Sequence, residues 1–256
     1  MGSIEPFFFS EGIVNYNYTN QELGLSVIKQ FGFRNQLELG GTYFIEKHKK
    51  NNYQLPENTV GPALLSQAKY LSKIEYTSDF LDYHFFYLEG FHGKFSLQNV
   101  YNPSDKSWFY SLQLSGKYFS RVGTRGNLAL RFHVGVATNN NSPFAPYVVD
   151  SHVNLRGAGN RIARGTAQII SNTEYRFTLY DSKKWALQTL AFLDIGAWRV
   201  PGGQLAFNTN QFKQFVGSGF RLIYQKIYGT VLRIDYGINI QDGNHRGMVI
   251  GFDQYF

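Results

Sequence analysis

The stretch Tyr228-Gly229-Thr230-Val231-Leu232-Arg233-Ile234-Asp235-Tyr236-Gly237-Ile238-Asn239-Ile240-Gln241 decides how this chain folds. Tyr228, Thr230, Leu232, Ile234, Tyr236, Ile238 and Ile240 share one face, while Gly229, Arg233, Asp235, Gly237, Asn239 and Gln241 share the other. A period of two sustained over this length is a β-strand with one apolar side, since a helix would repeat every three to four residues. The polar side carries charge and glycine, which suits a wet interior better than the solvent shell around a dry core.

The same alternation recurs on either side. In 127–137, Leu128, Leu130, Phe132, Val134 and Val136 oppose Asn127, Arg131, His133 and Gly135; in 108–121, Trp108, Tyr110, Leu112, Leu114 and Tyr118 oppose Ser111, Gln113, Ser115, Lys117 and Arg121. Similar dyads cover 36–46, 66–78, 81–101, 167–179, 187–198, 216–225 and 248–256, with less regular runs at 7–18 and 23–33. The total is about twelve strands, as in an outer-membrane barrel built from ~10-residue alternating segments, or sixteen if the long segments split. The apolar face of 81–101 stays on odd numbers, which reads as one strand projecting beyond the membrane.

Aromatics near the strand ends (Trp108, Tyr118, Tyr175, Trp198, Tyr224, Tyr228, Tyr255) match interfacial girdles. With the C-terminus placed on the periplasmic side, links 34–36, 78–82, 122–126, 181–184 and 226–227 are short, whereas the opposite set includes 48–65, 138–165 and 200–212. That asymmetry of short inner turns and long outer loops requires an even strand count. The expected fold is all-β: a transmembrane antiparallel barrel in a single domain over 1–256. A soluble sandwich is the competing all-β reading.

Composition excludes other classes. The 256 residues are 17% aromatic and include no cysteine, so disulfide scaffolds, thiolate metal sites and cysteine nucleophiles are absent. No run approaches the ~20 apolar residues of a spanning helix. The net charge of +7 could serve nucleic acid or an anionic surface, but Lys69, Lys73, Lys94, Lys117, Arg121, Arg131, Arg221 and Arg233 all fall on polar strand faces. This points to a basic lumen and away from nucleic acid. Lys47, Lys49 and Lys50 form a loop edge able to touch lipopolysaccharide. Six scattered histidines lack metal-ligand spacing, so neither metal nor cofactor is expected. Serines near His84, His92 and His133 lack a nucleophile turn, and no enzyme is expected. Gly157-Ala158-Gly159 and Gly217-Ser218-Gly219 are not phosphate loops, because no helix with Lys-Ser/Thr follows. Lacking a basic n-region and apolar h-region, the start reads as a mature chain.

Five stretches, in order and in strand phase, carry a family resemblance: Asn154-Leu155-Arg156-Gly157-Ala158-Gly159; Asn172-Thr173-Glu174-Tyr175-Arg176; Ala191-Phe192-Leu193-Asp194-Ile195-Gly196; Gly217-Ser218-Gly219-Phe220-Arg221; and Leu232-Arg233-Ile234-Asp235-Tyr236-Gly237, before a terminal Phe256. From about Leu128 to Phe256 the chain resembles the barrel of the BamA/TamA superfamily of outer-membrane assembly and secretion proteins. It departs in having Ala158 where an aromatic is usual, Gln254 in the last strand, about twelve strands instead of sixteen, and no POTRA repeats. It therefore looks like a short, barrel-only member or a barrel cut from a longer fusion.

On the strand phase, Gln188, Phe192, Asp194 and Gly196 face the lumen, as do Gln168, Asn172, Glu174 and Arg176 on the preceding strand. Asp194 and Glu174 can therefore receive a guanidinium from an infolded loop. The resemblance makes Arg156 that residue, with Gly157 letting the backbone approach the wall. Arg161 and Arg164 compete for the role, and a solvated Arg156 is the bland alternative. Ile250, Phe252 and Phe256, with Met248, form the apolar face of a C-terminal strand signal. The resemblance further implies an outer-membrane location and contact with bilayer and client outer-membrane proteins. It also implies a weak seam between 7–18 and 248–256, where Gly247 and Gly251 reduce packing. Alternatives are a small anion-permeable pore, or an anchor or translocator of a passenger domain.

Overall fold

The computed structural model describes residues 3–9, 12–50, 64–84, 86–139, 146–151, 154–159, 163–204, 212–227, 229–254 and 256. Twelve antiparallel strands form one sheet: β1 (Ser3–Phe9), β2 (Gly12–Phe31), β3 (Asn35–Lys50), β4 (Leu64–Tyr83), β5 (Leu88–Asn102), β6 (Ser107–Val122), β7 (Gly126–Ala137), β10 (Ala167–Asp181), β11 (Trp185–Arg199), β12 (Lys213–Tyr224), β13 (Val231–Asn239) and β14 (Arg246–Phe252). Two short strands, β8 (Tyr147–Val149) and β9 (Ala163–Gly165), pair with each other inside the long β7–β10 loop. Every neighbour in the main sheet is also the next main-sheet strand in sequence, the simplest path for links that are mostly short.

Alternation maps onto two environments. On β13, Arg233, Asp235 and Asn239 are buried while Ile234, Tyr236 and Ile238 are exposed. Outward β6 and β7 positions likewise expose Tyr110, Leu112, Leu114, Tyr118, Phe132 and Val136. An apolar outer face over a polar inner one is what lipid outside and water inside require. The sheet is curled, because the β4–β5 turn packs Phe86 against Ala186, Ile223 and Val231 of β11–β13 and their adjoining turns. Its carbonyl accepts from Gln188 Nε2 at 2.8 Å, contacts that a flat sheet would not permit.

Four expectations need correction. Residues 81–101 are not one strand: β4 runs on to Tyr83, and the chain reverses with His84 N–H donating to the Tyr87 carbonyl at 3.1 Å. The turn carries no glycine, proline or asparagine; Phe86 at its tip packs on distant strands, and Leu81 and Leu88 join Phe119, Ala129 and Phe256 in an internal cluster. Residues 7–18 are likewise not one strand, since Phe9 pairs with Gly12 and the rest belongs to the 20-residue β2. Trp198 is no girdle residue: it pairs with inward Gln168 and packs on the Leu155 cluster. Phe256 does not continue the outward face of Met248, Ile250 and Phe252. The ladder ends at Phe252, and the tail turns in so that the Phe256 ring lies 6.3 Å from that of Phe119.

The expected ladder between the first and last strands is not formed. Among the described residues β1 pairs with β2 alone and β14 with β13 alone, so they are the two edges of the sheet. They are also its shortest strands, seven residues each. Tyr228, Tyr255 and link 51–63 lie outside the described residues.

Candidate functional site

The β7–β10 loop returns into the curled sheet. Its β8–β9 ladder pairs Tyr147 with Gly165 and Val149 with Ala163, and the Tyr147 hydroxyl lies 2.9 Å from Ser111 Oγ on β6. Between these strands the chain tightens: Asn154 and Leu155 N–H both donate to the Asp150 carbonyl, and Ala158 N–H donates to that of Leu155. Asn154 anchors the bend from both ends. Its amide donates to the Val148 carbonyl at 2.7 Å and accepts from Arg131 Nη2 at 3.1 Å, while its own carbonyl accepts from Asn172 at 2.8 Å. Leu155, fully buried, packs on Val149, Ile170 and Phe215.

These anchors leave Arg156 with one direction, inward. Its guanidinium makes two parallel bonds to Asp194 at 2.9 Å each and a third to Glu174 at 2.5 Å, and its backbone N–H donates to Asp194 at 3.0 Å. The Phe192 ring lies beneath, 3.6 Å from Cζ, where a planar cation is attracted to the ring face. Arg156, Glu174 and Asp194 have no solvent exposure. Charges so far from water persist only when paired and hydrogen-bonded, a condition the register meets: Asn172 pairs with Asp194 and Glu174 with Phe192 across β10–β11.

The cluster is larger than the three charges singled out in the sequence. Arg176 Nε donates to Glu174 at 2.5 Å, and Arg221 makes two bonds to Asp235 at 2.6 and 3.0 Å. Arg156 and Arg233 each lie 3.8 Å from Asp235. Parity already placed Arg176, Arg221, Arg233 and Asp235 on inner faces, but only the register shows that they meet. The Arg161 alternative lies outside the described residues, and Arg164 pairs through its backbone with Val148. Among the described residues no group of His, Asp and Glu could hold a metal ion.

Missing side chains on three adjacent strands make room for the loop. Gly237 on β13 faces the loop backbone, where an added Cβ would lie 2.6 Å from the Arg156 carbonyl oxygen. Gly196 on β11 admits Leu155, and Gly217 on β12 admits the Phe192 ring. Gly157 has φ of +92°, a conformation glycine adopts cheaply, and a Cβ there would sit 2.7 Å from the Gly237 carbonyl. Gly247 of β14 also faces Gly157 and Gly251 faces Arg233, so both serve this inner packing.

No family model matches the sequence, and no curated relative does. Solved structures do. CdiB from Escherichia coli superposes with TM-score 0.63 at 11% identity, covering 96% of this chain and 47% of that one. The crystal structure of BamA from Haemophilus ducreyi lacking POTRA domains 1–3 gives 0.67 at 13%, with 97% and 59% covered. CdiB from Acinetobacter baumannii gives 0.63 at 13%, with 94% and 41% covered. The chain spans about half the length of these structures. At such identities the likeness speaks for the fold, and that fold is the β-barrel shared by BamA and CdiB.

Proposed function

We propose that this chain is an integral outer-membrane barrel of the BamA/TamA-like class, without a catalytic step of its own. In this reading it assists insertion or translocation of membrane-protein clients, or perturbs lipid, through the seam between β1 and β14. The observation that carries the reading is the contrast between the two sides of the sheet. Interior pairs run from nine matched residues for β12–β13 to sixteen for β2–β3, whereas the seam falls between two seven-residue strands that do not pair with each other. Next to it, β2 is exposed on both faces at every position from Thr19 to Phe31. Unpaired backbone in hydrocarbon costs several kcal/mol per group. Such an edge draws in water and headgroups, thinning the bilayer, or accepts an entering strand that completes its hydrogen bonds.

A pore is the weaker reading. Arg156 and its loop fill the inner face of β10–β13, while the turn at Phe86 and the tail at Phe256 pack across the end that carries the short links. On this orientation exposed Lys47 and Lys49 stand at the outer end of β3, where lipopolysaccharide phosphates lie.

The chain has no native cysteine, so Phe7→Cys in β1 and Ile250→Cys in β14, tried with neighbouring registers, can lock the seam cleanly. The reduced protein should speed insertion of other barrels, or scramble lipid, in liposomes; oxidation should abolish this and reductant restore it. Steady ion conductance that the lock leaves untouched, with no effect on insertion or lipid, would establish the pore instead.

A further inference from the structure

Away from the Arg156 cluster, one inward rung of the sheet is cationic over three adjacent strands. The register aligns Asp79, His92, Lys117, Arg131 and Asn172 across β4, β5, β6, β7 and β10. The next rung adds Lys94, Ser115 and His133. Lys117 and Arg131 are direct cross-strand partners on one face, a placement of like charges that destabilises a sheet unless something compensates it.

Elsewhere on this side of the lumen each lysine has its acid: Lys69 with Glu46 at 2.5 Å, Lys73 with Glu38 at 2.8 Å, and Lys94 with Glu75 at 2.8 Å. Lys117 breaks the pattern, with no hydrogen bond or ion pair among the described residues. The nearest acid along its rung, Asp79, lies 3.8 Å from His92, and Asp194 at the far end is held by Arg156. Arg131 directs one N–H to the neutral Asn154 amide. Below the rung lie Phe119 and Phe256, with the Arg131 guanidinium 5.8 Å from the Phe256 ring centre. Lys117 is half-buried, so the pocket is both reachable from water and low enough in dielectric for charge to matter.

We propose that His92, Lys117, Arg131 and Ser115 form a lumenal binding site for a phosphate-type oxyanion, either free or as the phosphate monoester of a lipid headgroup. The lysine supplies a point charge and a free ammonium donor, the neighbouring guanidinium a second positive charge, and the serine and imidazole further N–H or O–H groups to a tetrahedral ligand. The site depends on the fold alone and does not require the seam to be active.

The test uses the whole chain in non-ionic detergent micelles, with inorganic phosphate or dihexanoyl phosphatidic acid titrated against chloride at constant ionic strength. Binding should appear as a saturable rise in thermal midpoint and as slowed acylation of the Lys117 amine, read by mass spectrometry, with Lys47 unaffected. Lys117→Gln should weaken half-saturation about tenfold, the loss of one charge-assisted hydrogen bond, and Lys117→Arg should restore most of it. The acylation measurement needs only wild-type protein, so it stands even if the glutamine variant does not fold. Protection by both ligands, in competition, supports a site for the shared chemistry; protection by the lipid alone makes a headgroup its ligand. Neither ligand slowing Lys117 acylation, or equal stabilisation of wild type and Lys117→Gln, overturns the proposal.

Discussion

Arg156 is held by geometry that a point charge cannot reproduce. Two parallel bonds to Asp194 and one to Glu174 use the guanidinium fork in full, so Arg156→Lys should destabilise nearly as much as Arg156→Ala. Removing one partner from a buried pair costs on the order of 3–5 kcal/mol. In a double-mutant cycle with Asp194→Ala, read from urea unfolding in detergent micelles, coupling should exceed about 1 kcal/mol; a value near zero would mean that the pair does not hold the loop. Gly157→Ala should act on the same loop through its backbone, because φ is +92° and Gly237 leaves no room for a Cβ. Conformational strain alone is about 1–2 kcal/mol, and faster protease cleavage within 138–166 is the expected readout, with wild-type resistance the contrary one. Parity in the sequence was enough to turn Glu174 and Asp194 inward. It could not show that Arg176, Arg221 and Asp235 complete the same cluster, because parity assigns a face while contact depends on register, here Asn172 with Asp194 and Gly219 with Asp235.

The strands were legible where one face meets lipid and the other water, because opposite solvents write opposite residues. The β4–β5 turn was not: Tyr83, His84, Phe85, Phe86, Tyr87 and Leu88 carry no turn chemistry and continue an aromatic-rich run, and what turns the chain there is contact of Phe86 and Leu88 with distant strands, which sequence alone does not reveal. Phe86→Ala should cost about 3 kcal/mol, the low end for a phenylalanine truncation because the ring is only partly buried, and should loosen the short-link end without freeing the Arg156 loop. Unfolding midpoint and loop proteolysis separate the two effects; loss of both together would make the turn part of the loop's support. At the opposite end, the β13–β14 link (240–245) is organised by Asp242, which accepts from Asn244 N–H at 3.1 Å and lies 2.6 Å from His245 Nδ1. The Asn244 backbone N–H first, and the His245 side chain after it, hold the Asp242 carboxyl below its ordinary value. A lowered native pKa means that this contribution is present above the unfolded pKa and is lost as pH falls through the folded one. Acid, not base, should therefore loosen the link beside β14. NMR titration of Asp242 should place its midpoint below that of an exposed aspartate; an ordinary midpoint would remove this device.

Across the whole molecule, order is distributed unevenly around the sheet. From β5 to β13 the inner face is packed by the loop, the β4–β5 turn and the Phe256 tail, and the Arg156 cluster ties β10 to β13; the edge strands β1 and β14 are only seven residues each, and β2, though 20 residues long, is exposed on both faces from Thr19 to Phe31. Local stability should follow, since segments with few buried contacts open at low free energy. The most direct measurement of the central claim is backbone hydrogen exchange in lipid nanodiscs, comparing β14 (Arg246–Phe252) with β13 (Val231–Asn239) before and after oxidation of the Phe7→Cys/Ile250→Cys pair. An openable seam predicts that the amides of β14 directed away from β13 exchange far faster than those of β13 and that the disulfide slows them. Protection of β14 equal to that of β13 without the disulfide would show a seam as firmly paired as the rest of the sheet and would contradict the account.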